Sequence, residues 1–176
     1  YTLEDLMDQI SMVFQKVYLF ADTMENNIKF GCPNATHEEV VAAAKKACCH
    51  DFILTLPQGY DTVIGEGGSS LSGGEQRISI ARAILKDAPI VILDEATANV
   101  DPENEDRLQK AIEALTRNKT ILMIAHRLKT VRNADQILVL DGGQIVQRGT
   151  HSQLMAQGGL YQAFVSGREE SGQWKL

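Results

Sequence analysis

Apolar positions along the chain follow two different rhythms, and the alternation between them predicts the fold. Ile10 to Phe14, Ile90 to Leu93 and Thr120 to Ala125 are short, almost unbroken apolar runs. Runs of this length between polar flanks predict strands. The continuous run Ile90 to Leu93 predicts a parallel strand covered on both faces, and Thr120 to Ala125 the next buried strand. Leu108, Ala111, Ile112 and Leu115 instead recur at helical spacing and predict one buried stripe. Gln136 to Leu140 and Gln144 to Gln147 flank Asp141-Gly-Gly143, which predicts a hairpin.

Helix starts are marked by polar residues at fixed offsets. Thr2 with Asp5 and Thr36 with Glu39 have the spacing of capping boxes. They predict a short helix from residue 2 and a longer one running to about Cys48. Asp51 to Leu56 reads as a further helical segment, stopped by Pro57. Residues 58–70 are rich in glycine and carry no period, which predicts a loop. Ser72 to Lys86 reads as a helix with Ser72 at its N-cap, and Asp101-Pro102 as a cap followed by proline at the first helical position. Thr150 to Phe164 reads as helical, with a polar, frayed tail over 166–176. Strands alternating with helices predict an α/β fold on a mainly parallel sheet. Residues 20–86 read as a helical insertion, with 1–19 and 87–165 forming the rest of the core.

Composition narrows the function without choosing it. The chain has 176 residues, 44% of them hydrophobic and 23% charged, which suits one globular domain or most of one. Its formal net charge of −6, with no basic patch, argues against nucleic acid as a partner. Its apolar runs are far shorter than the ~20 residues of a membrane span. The cysteines are Cys32, Cys48 and Cys49, an odd count without C-x-x-C spacing, as expected of reduced thiols. The first residue is Tyr1, so the sequence reads as starting inside a longer protein.

Several polar residues fall at the ends of the predicted strands. Asp94 and Glu95 close the second run, at the edge where parallel α/β sheets bind ligands. One carboxylate there can hold Mg²⁺, usually through water, and its neighbour can polarise an attacking water. The plain alternative is a helix cap after a strand. His126 ends the next run and can hydrogen-bond a phosphate and the same water; a core histidine satisfied by backbone is its alternative. Gln15 ends the first run, where a neutral amide can ligate Mg²⁺ or simply face solvent. Ser72, Gly73 and Gly74 open a helix without bulky side chains, so free N–H groups and the helix dipole favour an anion there. Ser72 can also be an ordinary N-cap.

Leu71-Ser72-Gly73-Gly74-Glu75 together with Ile90-Val91-Ile92-Leu93-Asp94-Glu95 resembles the signature motif and Walker B strand of the ATP-binding cassette (ABC) family, over almost the whole chain. The resemblance implies a P-loop NTPase-like sheet with a helical subdomain at about 20–86, and a nucleotide-binding domain that uses ATP and Mg²⁺. It implies that Gln15 is the Q-loop glutamine, Asp94 a metal ligand, Glu95 the catalytic base and His126 the switch histidine. Ser72, Gly73, Gly74 and Glu75 would contact nucleotide, and Asp101 would belong to the D-loop. Tyr18-Leu-Phe20, Asn27-Ile28 and Thr62 to Gly67 resemble exporter-type members. Such members pair two identical or different cassettes head to tail and couple to a transmembrane domain, on the cytoplasmic face of a membrane. DNA-repair and chromosome ATPases share these motifs, but no coiled-coil heptads are present here.

Two departures qualify the resemblance. The chain contains no Gly-Lys pair, hence no Gly-x-x-x-x-Gly-Lys-Ser/Thr loop to cradle phosphates, and the N-terminal part of the cassette is missing. These 176 residues could therefore be a catalytic region shown incomplete, or a cassette fragment that folds or pairs without ATP turnover. The family's signature helix also reads Leu-Ser-Gly-Gly-x-x-Gln-Arg, whereas Glu75 here is followed directly by Gln76-Arg77. Each helical residue turns the chain by about 100°, so Ser72 and the core face at Ile78, Ala81 and Leu85 are out of their usual phase. Either the first turn is rebuilt, or a residue has dropped from the sequence. Burying large side chains contributes more than a cap bond, so the core face is expected to stay buried while the first turn shifts.

Overall fold

The computed structural model describes residues 2–65, 74–94, 102–124 and 131–170, apart from the side chains of 102–104 and 168–170. The chain divides into two compact units, Tyr1–Ile124 and Ala125–Leu176.

The first unit starts with helix α1 (Leu3–Asp8), whose capping box forms as the sequence predicts: Thr2 accepts from the Asp5 amide, and Asp5 accepts from the Thr2 amide. Strand β1 (Ile10–Val13) follows. Four helices then come before the next strand: α2 (Met24–Lys29), α3 (His37–Lys46), α4 (His50–Leu54) and α5 (Glu75–Lys86). The Thr36–Glu39 capping box opens α3. Helix α2 is not apparent in the sequence pattern; Thr23 caps it through the Asn26 amide. Of the expected loop over 58–70, the described part, 58–65, contains a 3₁₀ turn (Gly59–Asp61) and an isolated bridge between Thr23 and Val63. Strand β2 (Ile90–Asp94), helix α6 (Pro102–Thr116) and strand β3 (Thr120–Ile124) complete the unit.

The three strands form one parallel sheet in the order β1-β2-β3. Met12, Ile92 and Leu122 share one register row, and Val13, Leu93 and Met123 the next. Val13, Val91 and Leu93 are buried on one face, in a core with Ile78, Ile80 and Ala81 of α5 and Leu108, Ala111 and Leu115 of α6. On the other face Ile92 of β2 is only partly buried, and β3, expected to be a buried strand, is open. Met12 is 41% exposed, Leu122 52% and Ile124 50%, and Phe14 just beyond β1 is 51% exposed. The reason is local: α5 and α6 both pack on the same side, and no described helix of this unit adds a buried residue on the other.

Helix α5 settles the conflict between core and cap. Ile78 and Ala81 are fully buried and Leu85 is partly buried against the same cluster. The helix starts at Glu75, not at Ser72, with Gly74 in the N-cap position and no side-chain cap bond. Core burial is kept, as the energies favour. Ser72 and Gly73 lie outside the described residues. Ile78→Ala is expected to destabilise this unit by about 2–5 kcal/mol. Urea titration would read this as a lower midpoint at unchanged slope, and an unmoved midpoint would show that the contact is not structural.

The second unit contains the predicted hairpin, β4 (Ile137–Asp141) and β5 (Gln144–Gly149). Gly142 and Gly143 both have positive φ, 55° and 79°, which a two-residue turn of this hand requires. Where the sequence suggests one helix over 150–164, there are two, α7 (His151–Gln157) and α8 (Leu160–Glu170). Gly158 and Gly159, with φ of 73° and 91°, break the helix between them. Helix α8 runs on through the stretch expected to fray at 166. Ile137, Leu154, Tyr161 and Val165 make this unit's own small core.

Candidate functional site

The parallel sheet brings two of the expected site residues to one edge. Strands β1 and β2 are neighbours in parallel, and Val13 pairs with Leu93. Asp94, the last residue of β2, and Gln15, two residues beyond β1, therefore both lie at the carboxyl ends of adjacent strands. Asp94 pairs in register with Ile124 at the end of β3. It alternates with buried Leu93 and is itself partly exposed, on the less covered face with Ile92. Gln15 is exposed. A carboxylate and an amide oxygen at one edge form an oxygen donor set of the kind a hard divalent cation takes. No described group of three or more His, Cys, Asp or Glu side chains makes a metal cage. A cation held there would keep waters in its shell.

Helix α5 lies along β1 and is tied to it by side chains at both ends. Lys86 donates to the carbonyls of Met7 and Ile10, and Ser11 donates to the Ala83 carbonyl. At the other end, Gln76 Nε2 donates to the Phe14 carbonyl at 3.1 Å. Arg82 Nη1 donates to the Tyr18 carbonyl at 2.8 Å, and Nη2 to Asn27 Oδ1 at 2.7 Å, while Nε reaches the Asn27 carbonyl. Its guanidinium lies 5.6 Å from the Phe20 ring centre and 5.9 Å from that of Phe30, and those two rings stack. Burial lowers the Arg82 pKa to about 10, so it remains a cation at neutral pH. Asn27 is almost fully buried and closes the turn after Gln15: it accepts from the Phe20 amide and donates to the Phe20 and Thr23 carbonyls.

The start of α5 is held equally tightly. Phe52 lies against Gly74, where an added Cβ would come within 2.8 Å of Cε1 of the ring. Arg77, buried beside it, donates to the Cys48 carbonyl at 2.7 Å and places its guanidinium 5.9 Å from the Phe52 ring centre. A Cβ at position 74 would press on the Phe52 ring, while the φ of −87° at Gly74 does not itself call for glycine. Glu75 is the first helical residue and is partly buried.

Of the residues singled out in the sequence, Gln15, Gly74, Glu75 and Asp94 are placed as above. Ser72, Gly73, Glu95, Asp101 and His126 lie outside the described residues. Gln76, Arg82 and Asn27 were not apparent as parts of this site. Their signal is a polar side chain at the border of a buried helical stripe, which sequence alone cannot tell from a solvated one.

A family model described as "ABC transporter" matches residues 1–98, more than half of the chain. The chain is 52% identical over 168 residues to the ATP-dependent lipid A-core flippase of Haemophilus ducreyi, covering 94% of this chain and 29% of that protein. It is 54% identical over 157 residues to the beta-(1→2)glucan export ATP-binding/permease protein of Brucella melitensis, covering 89% and 26%. It is 52% identical over 162 residues to a putative multidrug export ATP-binding/permease protein of Staphylococcus aureus, covering 92% and 28%. The chain thus spans under a third of the length of the curated relatives it matches. Among solved structures, a bacterial Atm1-family ABC exporter with ATP bound superposes with a TM-score of 0.83 at 42% identity, covering 95% of this chain and 29% of that one. The sheet edge that gathers Gln15 and Asp94, and the helix strapped beside it, are therefore built on a shared plan: the chain belongs to the ABC transporter family.

Proposed function

We propose that the chain is the ATP-binding and hydrolysing region of an ABC exporter, coupling ATP hydrolysis to transport across a membrane from its cytoplasmic face. The observation that carries this reading is the meeting of Gln15 and Asp94 at the carboxyl edge of neighbouring parallel strands. The exporter names of the relatives support the transport part. No described helix is long and apolar enough to cross a membrane, so the membrane part of such a protein would come from other segments.

In this reading Asp94 and Gln15 would hold Mg²⁺, their oxygens suiting a hard cation. The ion, when bound, neutralises charge that develops on the phosphates. Glu95, next to Asp94, takes the proton of the attacking water. His126 donates to the γ-phosphate. Ser72, Gly73, Gly74 and Glu75 supply donors at a helix start, where anions are favoured, to the ATP of a partner cassette. Asp101 orders the loop between the two cassettes. The partners are a second nucleotide-binding domain, identical or different, and a transmembrane domain.

The test is phosphate release by the native polypeptide reconstituted in lipid vesicles. ATP turnover is expected with Mg²⁺ and is lost on chelation. Absence of turnover at any ATP and Mg²⁺ concentration would overturn the reading. A second reading is that these residues fold or pair without turning over ATP; the absence of a Gly-Lys pair favours it for the 176 residues taken alone. Nucleotide binding by the native polypeptide with no phosphate release would support that alternative.

A further inference from the structure

Gln15 sits in a three-residue span, 15–17, and the carbonyls that bracket it, Phe14 and Tyr18, each accept a hydrogen bond from a side chain of the same helix. The donors are Gln76 and Arg82 of α5, which are 62 and 64 residues away in sequence from the carbonyls they hold. Arg82 is itself fixed by three acceptors and two aromatic rings, and its partner Asn27 pins Phe20 on the far side of the span. Val17, inside the span, packs into the core that α5 covers.

We propose that Gln76 and Arg82 are positioning residues: they hold the Gln15 span to helix α5, so that Gln15 and the start of that helix, Gly74 and Glu75, move as one body. This deepens the proposed function and rests on it for its catalytic consequence. The tie gives a physical route by which events at one set of nucleotide contacts reach the other. A shift of Gln15 toward or away from a cation drags the helix that follows Gly74, and a shift of the helix start moves Gln15. A two-residue tie from one rigid helix transmits displacement without a change of fold.

The test uses the native polypeptide in detergent, with Gln76→Glu as the main variant. The carboxylate keeps the shape of glutamine but cannot donate to Phe14. Gln76→Lys returns a donor at similar reach. Arg82→Lys is the second variant, because a lysine cannot hold Tyr18 and Asn27 together in the fork that arginine makes. Hydrogen exchange of the 15–17 amides is expected to quicken about three- to tenfold in Gln76→Glu and Arg82→Lys, the range of one lost hydrogen bond. Exchange within α5 and the thermal midpoint should stay put in Gln76→Glu. The kcat for ATP should fall by a similar factor with KM nearly unchanged, and Gln76→Lys should recover most of it. Unchanged exchange at 15–17 in both variants overturns the tie. Quicker exchange with an unaltered kcat, in a parent that hydrolyses ATP, overturns the positioning role. If the parent does not hydrolyse ATP at all, the proposed function fails while the exchange comparison still decides whether the helix holds the span.

Discussion

On its own, the 176-residue chain is expected to bind Mg-ATP three to six powers of ten more weakly than a cassette with a phosphate-cradling loop, because no Gly-Lys pair occurs in it. Charge-assisted hydrogen bonds contribute ~1.5–3 kcal/mol each. Without roughly three of them, binding weakens by ~5–9 kcal/mol, and each ~1.4 kcal/mol is a factor of ten. In the proposed reading, the residues that remain, Gln15 and Asp94 among the described ones, would hold an ion better than a triphosphate. Isothermal titration of the chain with Mg-ATP measures this directly. Micromolar affinity would mean that the edge of the sheet and the start of α5 hold phosphates unaided.

The second large effect belongs to Glu95 in the native polypeptide. Glu95→Gln is expected to lower ATP turnover by about 10²–10⁴ while ATP binding survives. The amide preserves the shape of the side chain but cannot take a proton from water. Asp94, one residue earlier at the end of β2, keeps its carboxylate, so cation binding should persist. Single-turnover phosphate release, compared with nucleotide retention on the same sample, separates the two quantities. Near-normal hydrolysis would move the general base elsewhere, with His126 next in line.

Legibility in the sequence followed the range of the interaction. The capping boxes at Thr2 and Thr36 involve partners three residues apart, and both form as their spacing suggests. The strands were readable as unbroken apolar runs, and the buried stripe Leu108, Ala111 and Leu115 because a helical period repeats along one element. Helix α2 was not, since six residues hold too little of a period to detect. The reading of one helix over 150–164 passed over Gly158 and Gly159, whose positive φ values end one helix before the next begins. Within the site, Asp94 and Gln15 were found because each closes an apolar run. The tie from Gln76 to Phe14 was invisible, because it joins positions 62 residues apart whose meeting depends on α5 packing along β1. The same distance effect explains the open side of the sheet: an apolar run says that a strand wants cover, not whether a neighbouring element supplies it.

That open side has a consequence at the bench. Met12, Phe14, Leu122 and Ile124 place oily side chains in water on a sheet whose outermost described strand, β3, has one described neighbour, β2. Greasy planes next to a free strand edge are where separate copies of a chain find each other. Expressed by itself, the molecule would behave as a colloid with a sticky side. Sulfate, which strengthens the burial of apolar surface, would drive it out of solution. Dilution and mild detergent would keep the copies apart.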